Sequence, residues 1–372
     1  MILTLIEPYY TGSHSAWAKG YQKFSRHTVN ILSLPGRFWK WRMHGGAVTL
    51  AKRFNAERIQ TDMILATDML DLCVFLAHTR ELTAKVPIAL YFHENQLAYP
   101  WSPDDRDLVQ KRDAHYGFIN YASALAADRI FFNSIYNKSS FIEGVKRLLN
   151  HFPDYKELAT VGKIREKSIV LPIGLDLSAL EKYRCSADSI PLILWNHRWE
   201  YDKNPQGFFK ALTDVDDRGE SFRLALLGEN FRNYPEEFSI AGGRYGERVL
   251  QYGYASSLSD YAEWLWRSHI VPITSHHDFF GISLVEAMYC ECLPLLPDRL
   301  AYPEIVPKKR FPELYYATDE ELVTKLESLL HLADQTVMRR QMHQLAAEYR
   351  WEKMAEQYDE EFEKLVHFAT HS

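Results

Sequence analysis

The chain has 372 residues, of which 47% are hydrophobic and 25% are charged. This length allows two domains, and the composition excludes a disordered chain, a collagen-like chain and a disulfide-rich miniprotein. The net charge of −6 is unevenly distributed, because residues 1–185 carry 24 basic and 18 acidic side chains whereas the rest carry 19 and 31. This asymmetry favours a polyanionic or phosphorylated partner for the N-terminal half; uneven solvation of the surface is the alternative.

Targeting signals are not evident in the sequence. The N-terminal string MILTLIEPYY is apolar and lacks a preceding basic segment, so we expect no signal peptide. Apolar runs such as 70–77 are far shorter than the ~20 residues that a membrane-spanning helix needs. The four cysteines have no second pair at metal-site spacing, which favours reduced thiols. We therefore expect a cytoplasmic protein without a membrane span.

The N-terminal half alternates short apolar runs with longer amphipathic stretches. The predicted strands cover residues 2–6, 29–34, 63–66, 88–92, 129–132 and 169–171. The predicted helices cover residues 13–24, 45–54, 70–79 and 118–127. Strands that alternate with helices at this spacing predict a parallel sheet covered by helices on both faces.

The C-terminal half repeats this alternation. Its predicted strands cover residues 192–196, 223–227, 249–252, 270–273 and 292–296, and its predicted helices cover 205–213, 258–267 and 283–289. The fold class is therefore α/β, with two Rossmann-like, doubly wound parallel-sheet domains. The polar segment before residue 192 places the boundary near residue 186, giving domains 1–186 and 187–350. A charged helical segment, 351–372, follows, and packing back onto the first domain is one possibility for it.

Two basic residues, Arg198 and Lys203, follow the predicted strand 192–196. They lie just beyond the carboxyl end of a strand, where open α/β sheets bind ligands. Arginine offers a planar fork to phosphate oxygens and lysine offers a mobile point charge, a combination that suits a diphosphate. A solvated loop is the alternative interpretation.

A glycine and two carboxylates follow the predicted strand 270–273. Gly281 permits close approach of the backbone to a ligand, and the helix that begins near Ser283 offers its N-terminal amides to an anion. Asp278 precedes this helix and Glu286 lies in its first turns, so one carboxylate is placed for a ligand near the loop and the other for hydroxyls deeper along the helix. A capping carboxylate with a surface glutamate is the alternative. Gly228 ends another strand, but glycine is common in turns.

The segment 37–42 alternates basic and aromatic side chains. Aromatic rings beside cations are typical of proteins that bind unstacked single-stranded bases, and packing of these rings in a core is the alternative. The residues are Arg37, Phe38, Trp39, Lys40, Trp41 and Arg42.

A metal site is not expected from the sequence. The string Asp214-Val215-Asp216 matches a D-x-D pattern, but it lies in a predicted acidic turn away from the candidate site. The histidines form no H-E-x-x-H arrangement. We therefore predict activity without a metal ion or another cofactor.

The donor-site pattern, Arg198 and Lys203 followed by Asp278 and Glu286 around FGISLVEAM, resembles that of retaining GT-B glycosyltransferases of the sucrose-synthase and mannosyltransferase family. The first acidic position is usually glutamate there, so Asp278 is a departure that bears on how sugar hydroxyls are held. The strings EPYYTGSH at 7–14, LPGRFWKWR at 34–42, TDMLDL at 67–72 and YFHENQL at 91–97 resemble the tRNA-queuosine α-mannosyltransferase family. This similarity extends over nearly the whole chain.

The resemblance implies a GT-B fold, in which two domains face a central cleft, and transfer of mannose from GDP-mannose to the cyclopentenediol of queuosine in tRNA, the aspartate tRNA anticodon included, with retention. It implies that Arg198 and Lys203 neutralise the diphosphate, that Glu286 binds the ribose and that Asp278 and His93 bind the sugar. The catalytic set is His93, Arg198, Lys203 and Asp278. The donor-binding set is Gly12, Ser13, Gly228, Phe280, Gly281, Ile282, Ser283 and Glu286. The acceptor-binding set is Arg37, Trp39, Lys40, Trp41, Arg42, Glu94 and Asn95.

Three other functions compete with this hypothesis. The same donor chemistry with another nucleotide sugar could serve a lipid, glycan or small-molecule acceptor. A non-catalytic nucleotide-sugar-binding protein is disfavoured because both cations and both carboxylates are present. A dinucleotide oxidoreductase is disfavoured because no G-x-G-x-x-G string follows a predicted strand.

Overall fold

A computed structural model of the chain describes residues 1–101, 114–229, 235–331 and 335–371. It divides into two compact units. Unit 1 comprises Met1–Leu175 together with Trp351–Ser372, and unit 2 comprises Asp176–Arg350.

Unit 1 contains a six-stranded parallel sheet with the strand order β2-β1-β3-β4-β5-β6. The strands are β1 Ile2–Tyr10, β2 Thr28–Pro35, β3 Met63–Thr67, β4 Ile88–Phe92, β5 Arg129–Phe132 and β6 Ser168–Val170. The helices are α1 Gly12–Phe24, α2 Trp39–Ala56, α3 Leu72–Thr83, α4 Ala114–Ala126, α5 Ile135–His151, α6 Ala159–Glu166 and, at the C-terminus, α15 Trp351–His371. Every residue of β3 and β4 is buried, as expected for central strands covered by helices on both faces.

The C-terminal helix α15 belongs to unit 1 because it packs on α1. The hydroxyl of Tyr21 donates to Asp359 at 2.8 Å, and Trp17 Nε1 donates to the hydroxyl of Tyr358 at 3.1 Å. Gly20 makes the close approach possible, since a Cβ atom there would lie 1.9 Å from the indole nitrogen of Trp351. The last 21-residue helix is therefore a structural part of the N-terminal unit.

Unit 2 repeats the architecture with the strand order β12-β11-β10-β7-β8-β9, again parallel. Its strands are β7 Leu192–Asn196, β8 Arg223–Leu227, β9 Val249–Gly253, β10 Ile270–Pro272, β11 Leu293–Pro297 and β12 Tyr315–Tyr316. Its helices are α7 Ser178–Glu181, α8 Pro205–Asp217, α9 Glu237–Tyr245, α10 Leu258–Arg267, α11 Ile282–Tyr289, α12 Tyr302–Ile305, α13 Asp319–His331 and α14 Thr336–Ala347. The α/β fold class with two parallel sheets is confirmed.

Unit 1 gives way to unit 2 after Leu175, not at residue 186. Residues 176–186 contact unit 2, because Trp266 Nε1 donates to the carbonyl of Leu180 at 2.9 Å and Arg184 forms an ion pair with Glu291. These contacts could not be inferred from the polar composition of the segment that follows.

Several element boundaries differ from the sequence-based ones. Helix α2 begins at Trp39 rather than at residue 45, so most of the basic aromatic segment is helical. Helix α8 extends to Asp217, so the D-x-D string lies on a helix rather than in a turn. There Asp214 pairs with Lys210 at 2.9 Å and Asp216 pairs with Arg248 at 2.6 Å. Strand β12 and helices α5, α6, α7, α9 and α12 had not been predicted.

Two further features bear on the sequence-based expectations. All four cysteines are free, two of them buried and two exposed. Among the described residues, no helix combines the length and the apolar character needed to cross a membrane.

Candidate active site

A buried cation with two acidic neighbours lies beyond the carboxyl ends of β7 and β10 in unit 2. Lys203 is 8% exposed, and its Nζ lies 3.2 Å from Asp202 and 3.4 Å from Asp278. The same Nζ donates to the carbonyl of His277 at 2.9 Å. Burial alone lowers the pKa of Lys203, but the two carboxylates outweigh it and raise the pKa above its ordinary value. Lys203 is therefore a fixed positive charge.

Asp278 is ionised and held by the same cluster. Burial raises its pKa, but the nearby Lys203 and His197 and the hydroxyl of Tyr302, which donates at 2.9 Å, together lower the pKa below its ordinary value. A charged, oriented carboxylate of this kind can accept hydrogen bonds from sugar hydroxyls.

His197 is a neutral histidine beside this cluster. Its Nδ1 lies 2.9 Å from the hydroxyl of Ser283 at the start of α11, and its Nε2 is buried with no hydrogen-bond partner among the described residues. Burial is the main cause that lowers the pKa of His197 to about 4, and Lys203 and Arg198 add to the effect. The orphaned Nε2 is therefore available to a polar group of a ligand.

Glu286 lies on the first turns of α11 and is bound by Tyr261. The Tyr261 hydroxyl donates to its Oε2 at 2.8 Å, and Asn196 donates to that hydroxyl at 3.3 Å. Desolvation raises the pKa of Glu286 to about 7 although the hydrogen bond from Tyr261 opposes this change. The carboxylate is thus close to half protonated at neutral pH.

A pocket of about 460 Å³ opens along the edges of β7, β8 and β9, and it is large enough for part of a nucleotide. Arg198 lies in its wall; its side chain is 48% exposed and lies 3.2 Å from Glu200. Gly228 lines the wall at φ +149°, where a Cβ atom would lie 2.1 Å from the carbonyl of His197. The lining residues are Asn196, His197, Arg198, Leu227, Gly228, Glu229, Tyr254, Ala255, Ser256, Ser257, Leu258 and Tyr261.

The residues at the start of α11 have different environments. Gly281 adopts φ +102° at the N-cap, a left-handed conformation that favours glycine. No side chain caps this helix and its first turn has no acidic residue, so its amides are not neutralised by the helix itself. The ring of Phe280 is buried against Tyr349, with 5.2 Å between ring centroids, which leaves only its backbone for a ligand. Ile282 is partly exposed.

Unit 1 contains a second cluster of charged and polar groups, beyond the carboxyl ends of β1, β3 and β4. Glu7 is fully buried; one carboxylate oxygen lies 2.9 Å from His14 Nδ1 and the other accepts from the amide of Tyr9 at 2.7 Å. Burial lowers the pKa of His14, but the charge and hydrogen bond of Glu7 outweigh it and raise the pKa to about 9. His14 is therefore a buried cation, and Gly12 and Ser13, which precede it, are exposed residues at the start of α1.

His93 packs against this cation with its ring tilted by 45°, and 4.4 Å separates the ring centroids of the two histidines. Burial and the nearby His14 lower the pKa of His93 well below its ordinary value, and its Nε2 lacks a partner among the described residues. Asp68 accepts from the backbone amide of His93 at 2.9 Å and so positions it. Burial keeps the pKa of Asp68 well above its ordinary value.

Two members of the predicted acceptor set follow His93. Asn95 is fully buried and donates to Asn137 Oδ1 at 2.8 Å and to the Ser140 hydroxyl at 3.1 Å. Its Nδ2 therefore holds α5 in place, whereas its Oδ1 is buried without a hydrogen-bond partner among the described residues. The predicted contact between Asn95 and the acceptor stays a prediction. Glu94 is partly exposed and accepts from Gln96 at 3.0 Å.

The basic aromatic segment splits into packed and exposed residues. Trp39 packs against Tyr116, with 5.1 Å between centroids, so the core-packing alternative applies to this ring. Trp41 is 62% exposed. Lys40 lies over Trp39 and the Arg42 side chain donates to the carbonyl of Pro35 at 3.0 Å. Arg37 is exposed.

Two groups of side chains in the described residues have metal-ligand types within 4.8 Å of one another: Glu7 with His14 and His93, and Glu220 with Glu327 and His331. In the first group each carboxylate oxygen of Glu7 accepts one hydrogen bond, from His14 or from the backbone amide of Tyr9. The second group is partly exposed. Metal-independent activity stays a prediction.

Sequence reasoning missed several residues that shape both clusters. Glu7 and His14 are the first and last residues of the string EPYYTGSH. An acidic residue in the otherwise apolar strand ILTLIEPYY was a signal of a buried ion pair. Tyr261, Asn196 and Tyr302 come from elements far apart in the sequence, and no spacing pattern identifies them.

The comparisons with known proteins agree with this architecture. Residues 2–175 match the sequence model described as tRNA-queuosine alpha-mannosyltransferase N-terminal, and residues 186–348 match glycosyl transferases group 1. Among solved structures, a UDP-forming trehalose-phosphate synthase from Burkholderia xenovorans has a TM-score of 0.69 at 14% identity, covering 99% of each chain. Sucrose-phosphate synthase from Thermosynechococcus elongatus has a TM-score of 0.69 at 14% identity, covering 98% of this chain and 99% of that one. The protein is a glycosyltransferase with the GT-B fold.

A curated relative defines the group more narrowly. The tRNA-queuosine alpha-mannosyltransferase of Drosophila melanogaster is 31% identical over 366 residues, covering 95% of this chain and 93% of the fly protein. The chain belongs to the tRNA-queuosine alpha-mannosyltransferase family.

Proposed function

We propose that this glycosyltransferase transfers mannose from GDP-mannose to the cyclopentenediol of queuosine in a tRNA anticodon, with retention of configuration and without a metal ion. The observation that carries the proposal is family membership over both units, with the donor residues present in unit 2. We place the reaction in the cytoplasm, which the four free cysteines support.

The donor diphosphate becomes the leaving group, and its developing charge needs fixed positive partners. Arg198 supplies an exposed guanidinium on the pocket wall, suited to direct contact with phosphate oxygens. Lys203 acts through its electric field rather than by direct contact with the phosphates, because its ammonium already contacts Asp202, Asp278 and a backbone carbonyl. The backbone amides of Gly281, Ile282 and Ser283, at the N-terminal end of α11, provide further partners for the negative charge of the diphosphate.

Carboxylates and imidazoles orient the sugar and the nucleotide. Glu286 accepts hydrogen bonds from the ribose, with Tyr261 holding one carboxylate oxygen. Asp278, ionised beside Lys203, accepts from hydroxyls of the transferred sugar. His93 is neutral and has an unpartnered ring nitrogen, which suits a hydrogen bond to a sugar hydroxyl. Gly12 and Ser13, exposed at the start of α1, allow the nucleotide sugar to approach.

The acceptor is proposed to bind unit 1. The first 53 residues contain eight basic residues and one acidic residue, which suits an RNA backbone. The proposed acceptor set comprises Arg37, Lys40, Trp41, Arg42, Glu94 and Asn95, whereas Trp39 contributes by supporting the local fold.

The test is a donor and acceptor screen with purified protein. GDP-mannose, GDP-fucose, UDP-glucose and UDP-galactose are each incubated with tRNA that carries or lacks queuosine, and nucleoside digests are analysed by mass spectrometry. We expect a hexose on queuosine from GDP-mannose alone. Equal labelling of tRNA that lacks queuosine would refute the proposed acceptor. Preferential transfer from a UDP sugar would refute the proposed donor.

A further inference from the structure

The exposed indole of Trp41 lies across the backbone of α2. A Cβ atom placed on Gly45, one turn later, would lie 2.5 Å from Trp41 Cζ2 and 2.6 Å from Cε2. The ring therefore occupies the space that any other residue at 45 would fill. One face of the indole covers the helix, and the side chain is still 62% exposed. Gly45 thus holds a large aromatic surface flat and open to solvent.

A second exposed ring precedes Trp41 by one turn. Phe38 is 78% exposed and adopts φ 54° and ψ 58° at the N-cap of α2, a left-handed conformation that is unfavourable for a bulky residue. Its carbonyl accepts from the amide of Arg42 at 3.0 Å, so it begins the helix. Among the described residues, neither Phe38 nor Trp41 has an aromatic ring partner, in contrast to Trp39.

The charge around these two rings has one sign. Residues 36–54 contain five basic side chains and no acidic one. Arg37 is exposed beside Phe38, and Lys52 is exposed further along α2. A hydrophobic protein partner or a core contact does not require such a basic surround, whereas a strand of phosphates does. Flat rings within a basic surround are the combination that binds single-stranded nucleic acid.

We propose that Phe38 and Trp41 form a stacking site for unpaired RNA bases, and that Gly45 is the residue that keeps the Trp41 ring available. This inference rests on the proposed function, because it takes RNA as the partner. It extends that function by naming the rings that contact the bases. Stacking is tolerant of base identity, so this site supplies affinity and placement of the loop rather than recognition of queuosine.

One variant, Gly45→Ala, is expected to weaken RNA binding without lowering the Tm. Gly45→Ala replaces glycine inside a helix by the best helix former, which on its own favours folding. The added methyl group must nevertheless displace the Trp41 ring, whose outer atoms are free to move. We therefore expect an unchanged or higher Tm together with weaker RNA binding. Gly162→Ala is the matched control, because Gly162 also lies inside a helix of unit 1 and its Cβ would meet nothing within 4 Å.

Binding is measured without donor by fluorescence anisotropy, using an anticodon stem-loop with normal bases and one whose loop nucleotides are abasic. The abasic probe keeps the phosphates and removes the stacking partners. The wild-type protein should prefer the normal loop. Phe38→Gly, Trp41→Ala and Gly45→Ala should each weaken its binding by about 5- to 140-fold and barely affect the abasic probe. Phe38→Gly should also fold at least as well as wild type, since glycine is at ease in the left-handed conformation.

Several outcomes would overturn the stacking site. These are equal affinity of the wild type for both probes, or Gly45→Ala binding like Gly162→Ala. A third is loss of binding to anionic vesicles, rather than to RNA, in Trp41→Ala, which would point to a membrane surface. Failure of the proposed function is distinguishable, because it would appear as intact loop binding without mannosyl transfer.

Discussion

In each unit a buried histidine lies beyond the first strand of the sheet, but the two histidines have opposite charge states. In unit 1, His14 beyond β1 is held by the buried Glu7, which raises its pKa to about 9. In unit 2, His197 beyond β7 lies near Lys203 and Arg198, and burial with these cations lowers its pKa to about 4. Both histidines are almost fully buried, at 8% and 6% exposure, so burial alone does not explain the difference.

The comparison shows which neighbour decides the charge state. A carboxylate in direct contact overcomes desolvation of an imidazole, whereas a lysine that already has two carboxylates leaves the nearby imidazole neutral. The positive charge of the cluster in unit 2 therefore lies on Lys203 and Arg198, and that of the cluster in unit 1 lies on His14. Changes to either cluster should have effects that the other does not share.

The largest expected effect is on the donor cluster. Arg198→Ala should lower kcat/KM by about 10²–10³-fold, since a preorganised charge at the leaving diphosphate is lost. Its Tm should change little, because Arg198 is half exposed and surface ion pairs contribute little stability. Lys203→Ala should lower kcat/KM to a similar extent and also the Tm, because two buried carboxylates lose their cation.

Lys210→Ala serves as the control for both variants. This lysine is 60% exposed and pairs with Asp214 on the outer face of α8, and we expect activity and Tm close to wild type. Near-normal turnover in both Arg198→Ala and Lys203→Ala would mean that other groups neutralise the diphosphate.

The next effect concerns the stability of unit 1. Since the folded-state pKa of His14 is above its ordinary value of 6.5, its stabilisation is full below pH 6.5 and is lost as pH rises through about 9. The corresponding free energy of unfolding is about 3 kcal/mol. Glu7→Gln should remove this pH dependence, measured by urea unfolding followed by tryptophan fluorescence. Glu57→Gln, which affects an exposed ion pair with Arg53, should retain it.

A smaller effect is expected for nucleotide binding at Glu286. Glu286→Gln should cost roughly 1.5–3 kcal/mol of GDP affinity, because a charged hydrogen-bond acceptor is lost. With a pKa of about 7, the wild-type carboxyl ionises between pH 6 and 8, so GDP affinity should rise over that range and stay flat in the variant. Calorimetry at both pH values measures this, with the exposed Glu263→Gln as control. Equal pH profiles would remove Glu286 from the ribose site.

No effect is expected from removing divalent ions. If Arg198, Lys203 and the start of α11 neutralise the leaving group, mannosyl transfer should proceed unchanged in EDTA. Loss of activity that added magnesium or manganese restores would contradict this prediction. A change in the thermal stability of unit 1 in EDTA would instead implicate Glu7, His14 and His93 as ligands.

Local pattern alone predicted most of the two sheets. Strands such as 88–92, 129–132 and 223–227 are short, mostly apolar runs that are largely buried, and their observed bounds agree with the prediction. Boundaries failed where a helix begins or ends in a mixed segment. Helix α2 includes Trp39 and Trp41 because packing on Tyr116 supplies stability that the propensity of the segment does not reveal.

The sequence by itself determined the α/β class and the family, and it singled out Arg198, Lys203, Asp278 and Glu286 as candidate donor-site residues, because strand periodicity and strings next to strand ends are local properties. Only the tertiary structure decided which neighbours those residues have. It paired Glu7 with His14, Tyr261 with Glu286 and Tyr302 with Asp278, all through contacts between separate elements. Charge state and exposure depend on these contacts, which is why Trp39 is partly buried against Tyr116 whereas Trp41, two residues later, is 62% exposed.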